Sequence, residues 1–319
     1  MKIMQHKCYS CFMTISKSLN IFFATVFLLF PLLCGTNTAT AGSDANQAST
    51  SPDVNSFVQN AKEGDIKAVE SAISGGIDIN AMDKKGNTAL IEASKKGLKG
   101  IVNLLLSKGA DVNGRDRTFN ATPLIWAALS GQTDIVKILL DKGADTKAKE
   151  NKNGLTAIIA AAVTGNTEIV NLFLEGGMSI DSRDREGRTA LMWAANAGRS
   201  DTVKFLLDKG ALIDTVEEEK GLTAMMTAAL MGHSETVKLL LDRGANIEKK
   251  DTDGRTALMW AARNGQANTV ELLLKMGADL NAKDNLGNTS LTLVKNSKIG
   301  DDEKKKVEEL LVVKAGAGK

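Results

Sequence analysis

One short pattern recurs along most of this 319-residue chain and constrains its fold more than any other feature. Each copy opens with threonine, then alanine, proline or serine, then an aliphatic residue or methionine. The third residue returns every 33 or 34 positions, at Leu90, Leu124, Ile158, Leu191, Met225, Leu258 and Leu291. Periods of this length are typical of proteins whose small units pack only on their neighbours. The sequence therefore predicts one elongated domain, although length alone suggests about two.

Each copy carries the start and stop signals of two short helices joined by turns. Thr189 is a candidate N-cap for a first helix, and Gly198 ends that helix where other residues would resist the backbone conformation. Ser200 or Asp201 then begins a second helix, which Gly210 stops. One such helix pair is too small to bury its own core, so the units must stack on one another.

The repeated segment resembles the ankyrin repeat. The resemblance is clearest at residues 122–128, TPLIWAA, at Gly131, at 135–140, IVKILL, and at 142–145, KGAD. It covers residues 54–313 and implies an all-α ankyrin-repeat solenoid of about eight helix-turn-helix units with short β-turn tips. The first unit, 54–82, and the last, from Asp284, depart from the pattern and are interpreted as polar caps.

The N-terminal segment has the layout of a secretory signal. A basic stretch without acidic residues precedes a 13-residue apolar run, 21–33, and a polar stretch ends at Ala39-Thr40-Ala41. We predict a bacterial-type signal peptide over 1–41, a disordered leader over 42–53 and a flexible tail over 314–319. Cleavage after Ala41 predicts a periplasmic or secreted protein, and retention as a membrane anchor and lipidation at Cys34 remain alternatives.

Composition excludes several chemistries from the repeat body. All three cysteines lie in the first 34 residues, so no disulfide, thiol nucleophile or cysteine zinc site is available beyond them. Removal of residues 1–41 leaves 37 basic and 38 acidic residues, which disfavours nucleic acid as a partner. His233 is the one histidine that remains, and its Gly-His position indicates a structural role. We predict no cofactor, no metal, no small-molecule substrate and no enzymatic activity.

The resemblance implies that the first helices and the turn tips line a groove. In that groove we predict alternating apolar and cationic contacts with a protein partner, at Leu129, Leu155, Val163, Arg188, Leu222, Leu230, Met231, Arg255 and Arg263. Ordinary packing is the competing interpretation of the apolar members. Trp126, Trp193 and Trp260, spaced by 67 residues, are predicted to pack in the core. Lys84, Lys85, Lys95 and Lys96 form either a solvated face or a docking site for an acidic partner.

These observations favour a monomeric, exported protein-protein interaction module that is not an enzyme. The alternative is an inhibitor, an immunity-like protein or a stabilising subunit of one periplasmic enzyme, which would form a tight one-to-one complex. A shared scaffold does not specify a ligand, so the sequence leaves the partner open.

Overall fold

A computed structural model describes residues 53–316 of the chain. The predicted signal peptide, residues 1–41, lies outside the described residues, as does the predicted leader except for Asp53. The described residues form sixteen helices, two in each of eight units. Units 1 to 4 contain α1 Val54–Glu63, α2 Ile66–Ser74, α3 Ala89–Lys96, α4 Lys99–Ser107, α5 Pro123–Leu129, α6 Thr133–Asp141, α7 Ala157–Thr164 and α8 Thr167–Glu175. Units 5 to 8 contain α9 Ala190–Asn196, α10 Ser200–Asp208, α11 Ala224–Met231, α12 Ser234–Asp242, α13 Ala257–Arg263, α14 Ala267–Lys275, α15 Ser290–Lys295 and α16 Asp301–Gly316.

The first helix of most units begins at the predicted threonine. In unit 5 the hydroxyl of Thr189 accepts a hydrogen bond from the backbone N–H of Met192. The same cap forms at Thr88, Thr122, Thr223 and Thr289. A side-chain acceptor here satisfies a backbone donor that the helix itself cannot pair. The cap therefore fixes where these five first helices start.

The first helices of successive units pack on one another and form the centre of the stack. In α7 every residue from Ala157 to Val163 is buried. Second helices bury one side only, as in α10, where Thr202, Val203 and Leu206 are buried. Small residues on the first helices allow this close approach, and the predicted all-helical solenoid is confirmed. Among the described residues, Arg183 and Thr189 form an isolated antiparallel β-bridge.

The last helix closes the C-terminal end of the stack. Val307 and Leu311 of α16 are buried where this helix packs against α14 and α15. The helix runs to Gly316, so it continues past Val313 and the tail predicted from residue 314 begins within it. Lys314 and Ala315 favour helix, and glycine is the first residue that does not. Within residues 53–316, no helix has both the length and the apolar character needed to cross a bilayer.

Candidate functional site

The turns between units form a continuous row, which we call the turn row. It comprises the residues that precede each first helix in units 2 to 8, namely 84–87, 117–121, 151–155, 185–188, 218–222, 252–255 and 285–288. One backbone hydrogen bond joins each turn to the next, for example from Arg117 N to Gly86 O at 2.9 Å. Equivalent bonds start from Asn151, Arg185, Glu218, Thr252 and Asn285. The row is therefore a fixed surface and not a set of independent loops.

A close approach between turns is what makes this row possible. Gly86 has φ 81°, which disfavours other residues, and a Cβ at this position would lie 2.4 Å from Cβ of Arg117. A side chain at residue 86 would push the two turns apart and break the bond between them.

A buried carboxylate organises the inside of almost every turn. Asp184 is buried and its Oδ1 accepts from the backbone N–H groups of Glu186 and Arg188, at 3.0 and 2.8 Å. Buried acids occupy the same place at Asp116, Glu150, Glu217, Asp251 and Asp284. These bonds pair donors that would otherwise be buried without partners, which costs free energy.

Two versions of this turn explain why the sequence repeats in pairs of units. In units 5 and 7 the acid is aspartate, and the indole Nε1–H of Trp193 or Trp260 supplies an extra donor to it. In units 4 and 6 the acid is glutamate and the turn is one residue longer. There the backbone supplies the third donor, as Leu155 N does to Glu150 Oε1 at 3.1 Å. Unit 3 combines the longer turn with Asp116 and Trp126.

The environment shifts the pKa of three of these turn acids. Burial raises the pKa of Asp251 despite the hydrogen bonds that it accepts from Arg255 N and Trp260. Burial also raises the pKa of Glu186, against the opposing attraction of Arg188. Burial opposes ionisation of Asp284 too, but hydrogen bonds from Asn288 and Leu286, together with Arg255, lower its pKa overall. Near neutral pH the native state therefore carries the cost of a charged, buried Asp251.

The structure gives His233 a role between units. Its Nε2 lies 3.0 Å from the carbonyl oxygen of Asn196 in the preceding unit and donates a hydrogen bond to it. The side chain rests on Gly198, whose φ is 65° and whose missing Cβ would lie 2.7 Å from Nδ1 of His233. Gln132, Asn166, Arg199 and Gln266 make the equivalent bond in their units. Since three other residue types make this bond at four positions, the structural interpretation of His233 is supported.

The apolar residues predicted to line the groove lie in the core instead. The exposed fractions of Leu129, Leu155, Val163, Leu222 and Leu230 are 7%, 3%, 2%, 4% and 8%. Their side chains therefore offer little area to a partner. Sequence spacing placed Leu155 and Leu222 on the first helices, but α7 begins at Ala157 and α11 at Ala224, so both leucines lie in the turn row.

The remaining predicted contacts are partly exposed, and the arginines among them are held in place. Arg188 lies 4.2 Å from the ring centroid of Trp193 and bonds Asp184 Oδ2 through Nε at 2.8 Å. Arg255 and Arg263 both lie near Trp260, at 5.4 and 5.9 Å. Met231, the last residue of α11, is also partly exposed. Rigid cations stacked on aromatic rings lose little entropy on binding, which suits them to a protein interface.

The three tryptophans are buried, as predicted, and they tie the first helices to the turn row. Trp126 also makes a cation–π contact with Lys95, whose Nζ lies 4.1 Å from the centroid of its ring. Lys95 in turn pairs with the buried Glu92 at 2.9 Å. Of the four lysines predicted as a patch, Lys84, Lys85 and Lys96 are exposed, whereas Lys95 is engaged in this cluster.

The exposed charges of the turn row separate by sign, a feature that sequence inspection missed. In the described turns of units 2 to 5, every exposed charged residue is basic: Lys84, Lys85, Arg117, Lys152 and Arg185. In those of units 6 to 8, every exposed charged residue is acidic: Glu218, Glu219 and Asp253. The division by sign is not evident in the sequence, because the same turns also contain charged residues that are less exposed: Glu186, Arg188, Lys220 and Arg255.

Across residues 53–316, no three side chains of His, Cys, Asp or Glu come close enough together to hold a metal ion. The turn acids instead accept hydrogen bonds from backbone N–H groups of their own unit, as described for Asp184 and Glu150.

Comparison with known proteins agrees with this geometry. A family model described as ankyrin repeats matches residues 57–150, 147–217 and 211–284. Serine/threonine-protein kinase 12 of Arabidopsis thaliana is 44% identical over 63 residues, which are 20% of this chain and 14% of that protein. The putative ankyrin repeat protein YahD of Escherichia coli K12 is 40% identical over 58 residues, which are 18% of this chain and 29% of that protein. The matches thus span less than a third of either relative.

A solved structure covers more of the chain. The human ASB11 ankyrin repeat domain superposes with a TM-score of 0.62 at 29% identity, covering 70% of this chain and 98% of that domain.

Proposed function

Because the chain belongs to the ankyrin-repeat family, a family of protein-protein interaction modules, we propose that it is an exported, non-enzymatic protein that binds another protein. The observation that carries this proposal is the turn row, in which exposed charged side chains stand on turns locked together by backbone hydrogen bonds. A rigid surface binds without the entropy cost of ordering loops. The partly exposed Met231 and Arg263 extend that surface along the first helices.

Binding is tested by capture on the immobilised full chain from an envelope extract of its own cell. Substituting Met231→Glu and Arg263→Glu together should release the captured protein, because both residues lie at the ends of first helices and neither is buried. The matched control is Lys204→Glu on a second helix with Met276→Glu at the end of another, which changes the net charge equally at two exposed side chains. A partner retained by the first variant, or lost equally from both, contradicts binding on this surface.

Export is supported by the basic stretch, the apolar run and the Ala39-Thr40-Ala41 sequence at the N-terminus. Cell fractionation followed by N-terminal sequencing of the recovered protein tests it. The expected product begins at Gly42 in the periplasm or medium, and Ala41→Arg should leave the segment attached. Recovery of the untrimmed wild-type chain from the cytoplasm would contradict export while leaving protein binding open.

A further inference from the structure

The sign pattern of the turn row points to the chemistry of its partner. We name Lys84, Lys85, Arg117, Lys152 and Arg185 the basic turns, and Glu218, Glu219 and Asp253 the acidic turns. We propose that the row docks a two-signed protein surface in one direction, with an acidic segment against the basic turns and a basic segment against the acidic turns. This inference rests on the proposed protein-binding function.

The charges form a fixed pattern because their turns are fixed. Backbone bonds of 2.7 to 3.0 Å join every turn from unit 2 to unit 8. Each basic turn also lies beside an acid that accepts bonds from backbone N–H groups, as in the bonds from Lys152 N and Asn153 N to Glu150. This acid is buried in units 3 to 5 and partly exposed in unit 2, where it is Asp83. The inner carboxylates therefore hold the turns in place, and Arg185 is held further by a bond from its Nη1 to the carbonyl oxygen of Lys152 at 3.3 Å.

The two signs favour a protein over a uniform polyanion. Nucleic acid or an anionic lipid surface would gain from the basic turns, but it would be repelled where the row continues into Glu218 and Glu219. Asp253 adds less to this repulsion, because it pairs with Arg255 at 2.8 Å. Attraction and repulsion between exposed charges act over about 8 Å at physiological ionic strength, so each turn is sensed separately. A protein segment can match both halves, and complementary signs set orientation and association rate more than affinity.

A second copy of this chain is a poorer occupant. Two antiparallel rows would bring opposite signs together, but homodimer interfaces are rich in apolar area. Within the described turn row, Leu286 is the one large hydrophobic side chain that is exposed, so the row offers little apolar area to a second copy. A polar, rigid and charged row is instead typical of a docking site for a separate partner.

The row also sets the spacing of a suitable probe. Packed helices lie about 8–10 Å apart, and an extended peptide covers about 10 Å in three residues. We would use a fluorescent peptide that carries Glu at every third position in one half and Lys at every third position in the other. An isomer with the same residues interleaved is the reference probe. Binding to the full chain is followed by fluorescence anisotropy at low ionic strength.

The block peptide should bind about tenfold more tightly than the interleaved isomer. Substituting Lys85→Glu, Arg117→Glu and Arg185→Glu together should remove that preference. The control substitutes Lys67→Glu, Lys108→Glu and Lys204→Glu, which changes net charge equally at exposed sites off the row. Substituting Glu218→Lys, Glu219→Lys and Asp253→Lys should weaken the block peptide but strengthen an all-Glu peptide. Circular dichroism and thermal melting confirm that the variants are folded.

Three results would overturn the proposal. The first is equal affinity for the block and interleaved peptides. The second is tighter binding of a single-stranded DNA oligonucleotide or phosphatidylserine vesicles, which would show a general polyanion site. The third is self-association in sedimentation runs that the Lys85, Arg117 and Arg185 reversals abolish. Capture from the envelope extract distinguishes failure of this proposal from failure of the proposed function. If the variant with the Lys85, Arg117 and Arg185 reversals still captures the partner, protein binding stands and docking on the row charges is contradicted.

Discussion

The indole Nε1 of Trp193 lies 2.8 Å from Oδ2 of Asp184 and donates a hydrogen bond to it, tying the first helix of unit 5 to the turn that leads into it. Trp126 with Asp116 and Trp260 with Asp251 repeat the bond at 2.8 and 2.9 Å. In three units, therefore, one core side chain fixes both the helix packing and the position of the turn row.

The Trp193–Asp184 bond should contribute measurably to stability. Trp193→Phe removes one donor from a buried carboxylate, and we expect a loss of about 1–3 kcal/mol in the free energy of unfolding. Asp184→Asn should cost a similar amount, since its amide would face the indole N–H. Urea unfolding of both single variants and the double variant gives the coupling energy. A coupling energy close to zero would show that the bond is incidental.

A second prediction concerns a series of hydrogen bonds from cationic side chains to the next unit, which we call the cation ladder and which is interrupted in unit 6. Arg115, Lys149, Arg183 and Lys250 each donate to a backbone carbonyl of the following unit, as Arg183 does to Val216 O. Val216 occupies the ladder position in unit 6 and is 38% exposed. Val216→Lys should reach Lys250 O and raise the free energy of unfolding by about 0.5–1 kcal/mol. Val216→Met, which has the length but no donor, should bring no gain in chemical denaturation.

Asp251 should titrate above the usual aspartate value of 3.8, because burial raises its pKa in the native state. Between the unfolded and native pKa values the native state holds a proton that the unfolded chain has lost. The contribution of Asp251 to stability therefore increases as pH falls through that range. The lowered pKa of Asp284 has the opposite effect, since its contribution is lost as pH falls.

The Trp260 indole N–H resonance reports this titration directly. We expect its chemical shift to change at a pH above 3.8 and the change to disappear in Asp251→Asn. A resonance that stays constant until the pH is well below 3.8 would contradict a raised pKa.

The role of His233 between units predicts which replacements are tolerated. His233→Gln should leave stability nearly unchanged, because Gln132 and Gln266 make the same bond in units 3 and 7. His233→Ala should cost about 1 kcal/mol, since it leaves the Asn196 carbonyl without this donor. Thermal melting distinguishes the two variants. Equal losses would indicate that ring packing on Gly198, and not the hydrogen bond, is what matters.

Sequence reasoning recovered the local structure because local signals specify it. The period located seven of the eight units, and the threonine and glycine positions located the helix ends. The same reasoning misplaced Leu155 and Val163 at the groove surface. Residues four apart on a helix share a face, but whether that face meets solvent depends on the units before and after it.

The sequence by itself determined the repeat, the helix pairs and the residues that pack within them, because each unit repeats one local pattern of caps and apolar positions. Only the tertiary structure decided which charges reach solvent. Asp116, Glu150 and Asp184 are buried within their turns while Arg117, Lys152 and Arg185 are exposed on the row, and that distinction arises from how the units stack.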